Sequence, residues 1–467
     1  MAAFFGADDI WKISSADDEN ERVILVGVFI TGERSGASDA GSGMSEYVSE
    51  ADFMHSLDEL SELSKACNMK PVYTVTQALP YADKALYVRS GKAEEIAGYV
   101  RQFEAERVIF NDTLSPSQIR NLQKALSVPV TDRTRLILDI FERRARTREA
   151  KLQVELAKLE YLKPRLIGMW ETQNRQGGAS GAMSNKGEGE TQLEIDRRTI
   201  DHRLAQLRRE IKEVSRERQT QRKKRKESGI PLVALVGYTN AGKSTIMNSL
   251  IGKWTSGNSA DNKKVFEANM VFATLDTTVR KISPEKGREF LLSDTVGFIR
   301  HLPTSLVEAF KSTLEEVTEA DLLLQVVDAS DEYSPEHIEV TKKTIADLGA
   351  GGIPMITVFN KADLCDPPIE YPRRGLKQGD ADGVTNENIY LSAKDPSSLD
   401  LLTSVILEKL EADHIETEFL IPYDKGNVQA FLMKNSGVIK TEYLDAGVYI
   451  KVNCKKSVAD KVLHMLG

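Results

Sequence analysis

The sequence predicts a multidomain α/β protein: a small N-terminal α/β domain, an antiparallel coiled-coil linker, a doubly wound P-loop domain and a small α+β C-terminal domain. Three observations lead there. Short β-type runs alternate with helical spacings in both halves of the chain. A heptad-like stretch broken by a Gly-rich tract separates those halves. A phosphate-loop signature follows the first apolar run of the second half. With 467 residues, and roughly 150 per domain, about three domains are expected.

Residues 1–20 read as an N-terminal tail. In the segment 21–133, Glu21–Ile30, Pro71–Gln77 and Glu106–Asp112 are strand-like, and SLDELSELSKA and KAEEIAGYVRQF between them have helical spacing. Residues 134–229 turn helical. Phe141, Ala145, Leu152, Leu156 and Leu159 share a helix face, and Ile200, Leu204, Leu207, Ile211 and Val214 follow the 4-3 repeat of a coiled-coil seam. The Gly-rich tract Asn174–Glu190 between the arms predicts a flexible tip joining two antiparallel helices. Gly229–Pro231 punctuates the chain, and 230–413 carries five apolar runs, 232–237, 290–295, 322–330, 354–363 and 388–393, as in a doubly wound sheet. Residues 414–467 form a small α+β unit near the lower size limit for independent folding.

The charge count, 62 Lys+Arg against 70 Asp+Glu, leaves a net −8, which argues against a general nucleic-acid coat protein. The longest apolar runs, such as Leu322–Val327, fall far short of the ~20 residues a bilayer span needs. The acidic N-terminus has no basic n-region or apolar core, so no secretory signal is visible. Three scattered cysteines, Cys67, Cys365 and Cys454, form no disulfide framework or zinc motif and fit a reducing compartment. The expected location is cytoplasmic, in part membrane-peripheral, with no membrane span. The charge is uneven: thirteen Lys/Arg face five Asp/Glu between Arg197 and Ser228, making a candidate handle for a polyanion. A solvated helix face is the plain alternative.

The strongest signal is Gly237-Tyr238-Thr239-Asn240-Ala241-Gly242-Lys243-Ser244-Thr245, a G-x-x-x-x-G-K-[ST] loop between an apolar strand and a helical run. Its glycines let backbone N–H groups turn inward around phosphates, and the following helix adds the positive end of its dipole. Lys243 supplies a cation for the β/γ-phosphates, and the Ser244 hydroxyl is a ligand for Mg²⁺. Asp294-Thr295-Val296-Gly297 ends a strand 57 residues after Gly237. Asp294 there can hold Mg²⁺ through water, and the Gly297 amide can face the γ-phosphate. Asn360-Lys361-Ala362-Asp363 ends another strand; the Asp363 carboxylate can accept from guanine N1–H and N2–H together, a donor pair that adenine lacks. Ser392-Ala393-Lys394 at the next strand end can offer an amide to guanine O6. In this order the motifs read as a guanine-nucleotide switch that binds GTP and GDP.

Phe298 follows Gly297, where many GTPases place a Gln that orients the attacking water. A phenyl ring cannot do so, which predicts slow intrinsic hydrolysis accelerated by a partner. Asn240 can help hold K⁺ beside the phosphates, or simply shape its loop.

The order GYTNAGKST, FATLD, DTVGF, NKAD, SAK resembles the HflX family of ribosome-associated GTPases. So do segments 109–123, 132–166 and 187–198, with the last 50 residues the least distinctive. The resemblance implies a Ras-like G domain, GTP hydrolysis, a monomer, binding to the large ribosomal subunit and its rRNA, and in some members separation of ribosomes into subunits. It places Phe272-Ala273-Thr274-Leu275-Asp276 in switch I, with Thr274 on Mg²⁺ and the γ-phosphate and Thr278 as fallback. The catalytic set it implies is Lys243, Thr274, Gly297 and Asn240. Two departures stand out. The family's F-A-T-L-D-P-T-T-R has Thr277 where its proline would be, and its R-G-P-G-E tip reads Lys186-Gly187-Glu188-Gly189-Glu190 here.

Other readings fare worse. Arg89-Ser90-Gly91-Lys92 lacks the first glycine of a phosphate loop, and the six histidines lack nucleophile or metal spacing. A P-loop ATPase or kinase is opposed by Asp363, though the N-terminal region's own use of ATP stays open. An RNA-binding scaffold with a degenerate nucleotide site is opposed by Lys243 and Ser244. A tRNA-modification GTPase usually carries a cysteine near its end, whereas Cys454 stands thirteen positions before Gly467.

Overall fold

Strand β1 (Glu21–Ile30) is apolar and buried along nearly its whole length, as a strand covered by helices on both faces of a parallel sheet must be. The computed structural model describes residues 21–31, 47, 49–176, 186–227, 229–254, 271–272, 275, 277–285, 287–300, 316–376, 387–412 and 414–466. They fall into two units. The first holds the described residues through Ile211 together with Val271, Phe272 and Arg300; the second holds the remainder.

In the first unit β1 is followed by α1 (Glu50–Ala66), β2 (Met69–Leu79), α2 (Ser90–Gln102), β3 (Arg107–Phe110), α3 (Pro116–Leu126) and β4 (Val130–Asp132). The strands make a parallel sheet in the order β2-β1-β3-β4. Local chemistry fixes the helix starts. Ser49 caps α1 by accepting from Asp52 N, and Ser115 with Gln118 forms a full capping box on α3, where Pro116 opens the first turn. Ile24, Val26, Ile96, Val108, Phe110 and Leu122 build the core beneath.

The helical arm begins as α4 (Arg133–Arg144), breaks, and resumes as α5 (Arg148–Gln176). The shared apolar face predicts one helix through Ala145, but Ala145 is extended, at φ −63°, ψ 111°. The next helix restarts from Thr147, whose hydroxyl accepts from Ala150 N at 3.2 Å. Helix α6 (Lys186–Glu227) completes the arm. Ion pairs Arg148–Glu210, Glu155–Arg203 and Lys163–Asp201 run in opposite chain directions, so the two helices are antiparallel. Ile200, Leu204 and Leu207 are buried in the seam, as are Leu152 and Leu156. The helices reach further into the Gly-rich tract than its composition predicts. Asn174–Gln176 and Lys186–Glu190 are helical, and 177–185 lie outside the described residues. Helix–helix connections need only about 2–8 residues, so a 17-residue tip was longer than packing requires.

The second unit contains β5 (Leu232–Gly237), α7 (Lys243–Trp254), β6 (Thr278–Ile282), β7 (Phe290–Asp294), β8 (Leu322–Asp328), α8 (Ser334–Asp347), β9 (Met355–Asn360), β10 (Arg373–Leu376), β11 (Glu387–Tyr390) and α9 (Pro396–Glu411). The sheet order is β10-β11-β9-β8-β5-β7-β6, parallel at its centre with β6 and β10 as antiparallel edges. Strand β12 (His414–Ile421), helix α10 (Gly426–Asn435), strands β13 (Gly437–Leu444) and β14 (Gly447–Lys455), and helix α11 (Lys456–Leu466) form a three-stranded antiparallel sheet with two helices over their own small core. Among the described residues no helix is long and apolar enough to cross a membrane.

Candidate nucleotide-binding site

Strand β5 lies between β7 and β8, where the strand order reverses. The carboxyl end of such a strand opens the crevice in which doubly wound sheets bind ligands. The phosphate loop leaves from there, and two of its glycines are obligatory. Gly237 has φ +142°, and a Cβ would sit 2.2 Å from the Val326 carbonyl oxygen. At Gly242, with φ +94°, a Cβ would meet Asn360 Nδ2 at 2.2 Å. Asn240 between them holds φ +61°, a left-handed conformation that Asn tolerates better than most side chains. Its backbone therefore shapes the loop.

Lys243 opens α7 and is buried. Its ammonium donates to the carbonyls of Gly237 at 3.0 Å and Tyr238 at 2.7 Å. Burial pulls its pKa down to about 8, against the opposing pull of the Asp294 carboxylate. The Ser244 hydroxyl donates to Asp294 Oδ2 at 2.7 Å, and Asp294, the last residue of β7, is fully buried. Two oxygen donors side by side at a helix N-terminus fit a hard cation that takes few protein ligands and shares the rest with phosphates and water, as Mg²⁺ does.

The segment after Asp294 lies on the phosphate loop. Thr295 Oγ1 donates to Leu235 O at 2.6 Å, and Val296 is buried. A Cβ on Gly297 would come within 2.8 Å of Thr239 Cγ2 and 3.0 Å of Lys243 Nζ. Phe298 N donates to Gly237 O at 3.1 Å, and Phe298 O accepts from Thr239 N at 2.9 Å. The Phe298 ring packs in the core with Ala234, Val236, Val317 and Leu323.

Asn360 is a staple. Its Nδ2 donates to Ala241 O and its Oδ1 accepts from Ala393 N, both at 3.0 Å, so one buried side chain joins the phosphate loop to the Ser392–Lys394 loop. Lys361 takes φ +61° and pairs with Asp328 at 2.7 Å. Ala362 N donates to Leu391 O. That presents Asp363, on a 3-10 turn, to solvent; Lys394 is exposed too, while Ser392 and Ala393 stay buried.

Ala273, Thr274 and Asp276 lie outside the described residues; Thr245 sits in the first turn of α7. Phe272 and Leu275 are buried, and Thr278 pairs in register with Asp294. Sequence reasoning missed His337 of α8, whose ring stacks on Tyr238 with centroids 3.8 Å apart. Nothing in a lone histidine 99 residues downstream signals that contact.

Fold and site together define a P-loop GTPase. Residues 232–361 match a family model described as 50S ribosome-binding GTPase, residues 54–142 a GTP-binding GTPase N-terminal model, and residues 144–225 a GTP-binding GTPase middle-region model. The chain is 41% identical over 419 residues to the GTPase HflX of Caldanaerobacter subterraneus subsp. tengcongensis, covering 90% of this chain and 92% of that one. It is 34% identical over 446 residues to the GTPase HflX of Escherichia coli, covering 95% of each. A solved GTP-binding protein from Sulfolobus solfataricus, crystallised with GDP, aligns at 21% identity and a TM-score of 0.42 over 83% of this chain and 98% of that one. The chain belongs to the HflX family of GTPases.

Proposed function

We propose that the chain is a GTP-driven switch of the large ribosomal subunit. It binds the subunit and its rRNA in the GTP form, hydrolysis to GDP and phosphate permits release, and separation of stalled or idle ribosomes is the outcome. The observation that carries the reading is the joined site, in which Asn360 ties the phosphate loop to the base loop. The ribosomal partner is supported by the family model at 232–361. The working divisions are an α/β domain at 21–133, the helical arm at 134–229, the G domain at 230–413 and the C-terminal domain at 414–467. The protein acts as a cytoplasmic monomer.

In this mechanism the loop amides of 238–245 cradle the phosphates and Lys243 neutralises them. Ser244 and Thr274 would hold Mg²⁺, with Asp294 reaching it through water, and the ion would draw charge from the phosphoryl oxygens. Gly297 N–H meets the γ-phosphate, and Asp363 with the Ala393 amide selects guanine. The buried Phe298 ring leaves the attacking water to a partner surface. Asn240 is a candidate K⁺ ligand, and equal hydrolysis rates in K⁺ and Na⁺ would remove it. The decisive experiment measures GTP hydrolysis with and without large subunits and sediments intact ribosomes alongside. Stimulation with subunit separation is expected; a fast rate indifferent to ribosomes would reject the reading.

A further inference from the structure

The phosphate loop is held from one side by a ring outside every motif. Tyr238, its second residue, stacks face to face on His337 of α8, with centroids 3.8 Å apart and planes at 12°, and both residues are buried. His337 lies in the first turn of α8, and the sheet holds that turn in place. Gln325 of β8 donates to the carbonyl of Ile338, the next residue, at 3.0 Å, and accepts from Thr357 Oγ1 of β9 at 3.4 Å. Asp331, in the loop before the helix, accepts from Tyr333 N at 2.9 Å with one oxygen and lies 3.5 Å from His337 Nδ1 with the other. The imidazole is thus set by β8, β9 and its own loop, all within the second unit.

Tyr238 is where the polar contacts of the loop converge. Its carbonyl accepts from the Lys243 ammonium at 2.7 Å. The residues on either side of it, Gly237 and Thr239, bond the Phe298 backbone at 3.1 and 2.9 Å, and Tyr238 and Phe298 form a parallel bridge. Gly297, the residue before Phe298, packs so closely on Thr239 that a Cβ would come within 2.9 Å of the Thr239 Cα. A shift of Tyr238 therefore moves two groups at once, the ammonium and the Gly297 amide. The amides at the start of α7 are set by the helix itself.

We propose that His337 is a positioning residue for GTP hydrolysis: its ring braces Tyr238, and through the Tyr238 backbone it holds Lys243 and the Gly297 segment in the arrangement the chemical step needs. Phosphoryl transfer through a loose transition state depends on placement more than on any single acid or base. A brace on that placement acts on the rate more than on the resting affinity. The flat ring carries the effect, and the contact with the partly exposed Asp331 does not. The inference rests on Lys243 and Gly297 serving the γ-phosphate, and it is tested without ribosomes.

The test measures single-turnover GTP hydrolysis and GDP binding by the full-length chain, with melting curves as the check on folding. His337→Gln keeps an N–H donor for Asp331 and loses the ring; His337→Phe keeps a flat ring and loses the donor. The Gln variant should hydrolyse GTP about fivefold more slowly, the rate equivalent of one aromatic contact, with GDP affinity moving less than about twofold. The Phe variant should stay within about twofold of the unaltered chain in both. Tyr238→Leu should lose rate as His337→Gln does, and the double variant should be no slower than the slower single one, since both changes remove the same stack. An unchanged rate in the Gln variant, equal losses in the Gln and Phe variants, or additive losses in the double variant would each overturn the proposal. So would a loss of GDP affinity as large as the loss of rate. An unaltered chain that binds GTP without hydrolysing it would instead reject the reading of the site, and this inference with it.

Discussion

The four-stranded sheet of the first unit and the seven-stranded sheet of the second both reverse strand order at their first strand, β1 and β5, yet the crevices at those strand ends are furnished in opposite ways. In the first unit polar side chains beyond β3 and β4 bond one another. Asn111 Nδ2 donates to Tyr47 Oη at 2.7 Å and Ser56 Oγ at 2.9 Å, and its Oδ1 is taken by Arg133. In the second unit the corresponding end is glycine-rich backbone with one buried cation. Burial perturbs a charge in both places: the Asp112 carboxyl is pushed up to about 7 and the Lys243 ammonium down to about 8. The topology supplies a crevice twice, and the loop chemistry decides whether side chains fill it or a ligand does.

The sharpest way to break this comparison is to unfill the first crevice. Asp132, fully buried, accepts from Arg135 N and Tyr161 Oη at 2.8 Å, from Arg165 Nη2 at 3.0 Å and from Leu114 N at 3.2 Å. One carboxylate thus caps α4 and ties it to α5 and to the loop after β3. Asp132→Ala removes all four acceptor contacts and leaves the half-buried Arg165 guanidinium without its carboxylate, a loss of about 3 kcal/mol. Amide exchange across 107–165 should accelerate while the nucleotide site keeps its affinity for GDP. Unaltered exchange would mean the network is ornamental.

The second crevice is tested by its ligand. Asp363 is exposed and fixed by the Ala362–Leu391 backbone bond. Asp363→Asn replaces an acceptor of two guanine protons by a donor–acceptor amide that suits xanthine instead. GTP affinity should fall by about 3 kcal/mol, on the order of 100-fold, with xanthosine triphosphate gaining. A variant still preferring GTP would show that the base is chosen elsewhere.

The two crevices also differ in how far the sequence reveals them. Phosphate chemistry needs contiguous backbone amides, so the Gly237–Thr245 loop and the strand ends at Asp294, Asn360 and Ser392 can be read as local words. The five apolar runs located the five parallel strands for the same reason. The edges β6 (TVRKI) and β10 (RRGL) could not be read that way, because antiparallel edge strands need no apolar run. Strand β4 is three residues long, too short for a periodicity. The polar network of the first unit and the Tyr238–His337 stack join residues far apart in the chain, and no residue pattern announces such pairings. Asn360 shows the intermediate case: its motif is legible, but its role as a staple between loops appears only in three dimensions.

The smallest expected effect concerns the charge within the open crevice. Lys243 titrates near 8 because burial penalises its ammonium, while Asp294 works the other way. A bound diphosphate stabilises the charged form and raises that pKa, so the complex holds more protons than free protein plus nucleotide. GDP affinity should be flat below pH 7 and weaken as pH rises through 8, approaching tenfold per unit by pH 9. The folded protein alone gives the opposite slope. A depressed lysine pKa means the unfolded chain binds more protons between about 8 and 10.5, so this group's destabilising contribution shrinks as pH rises there. Calorimetric titration with GDP and thermal melting over the same buffers separate the two. Lys243→Met should abolish both slopes, and a GDP slope surviving in that variant would place the titrating group elsewhere.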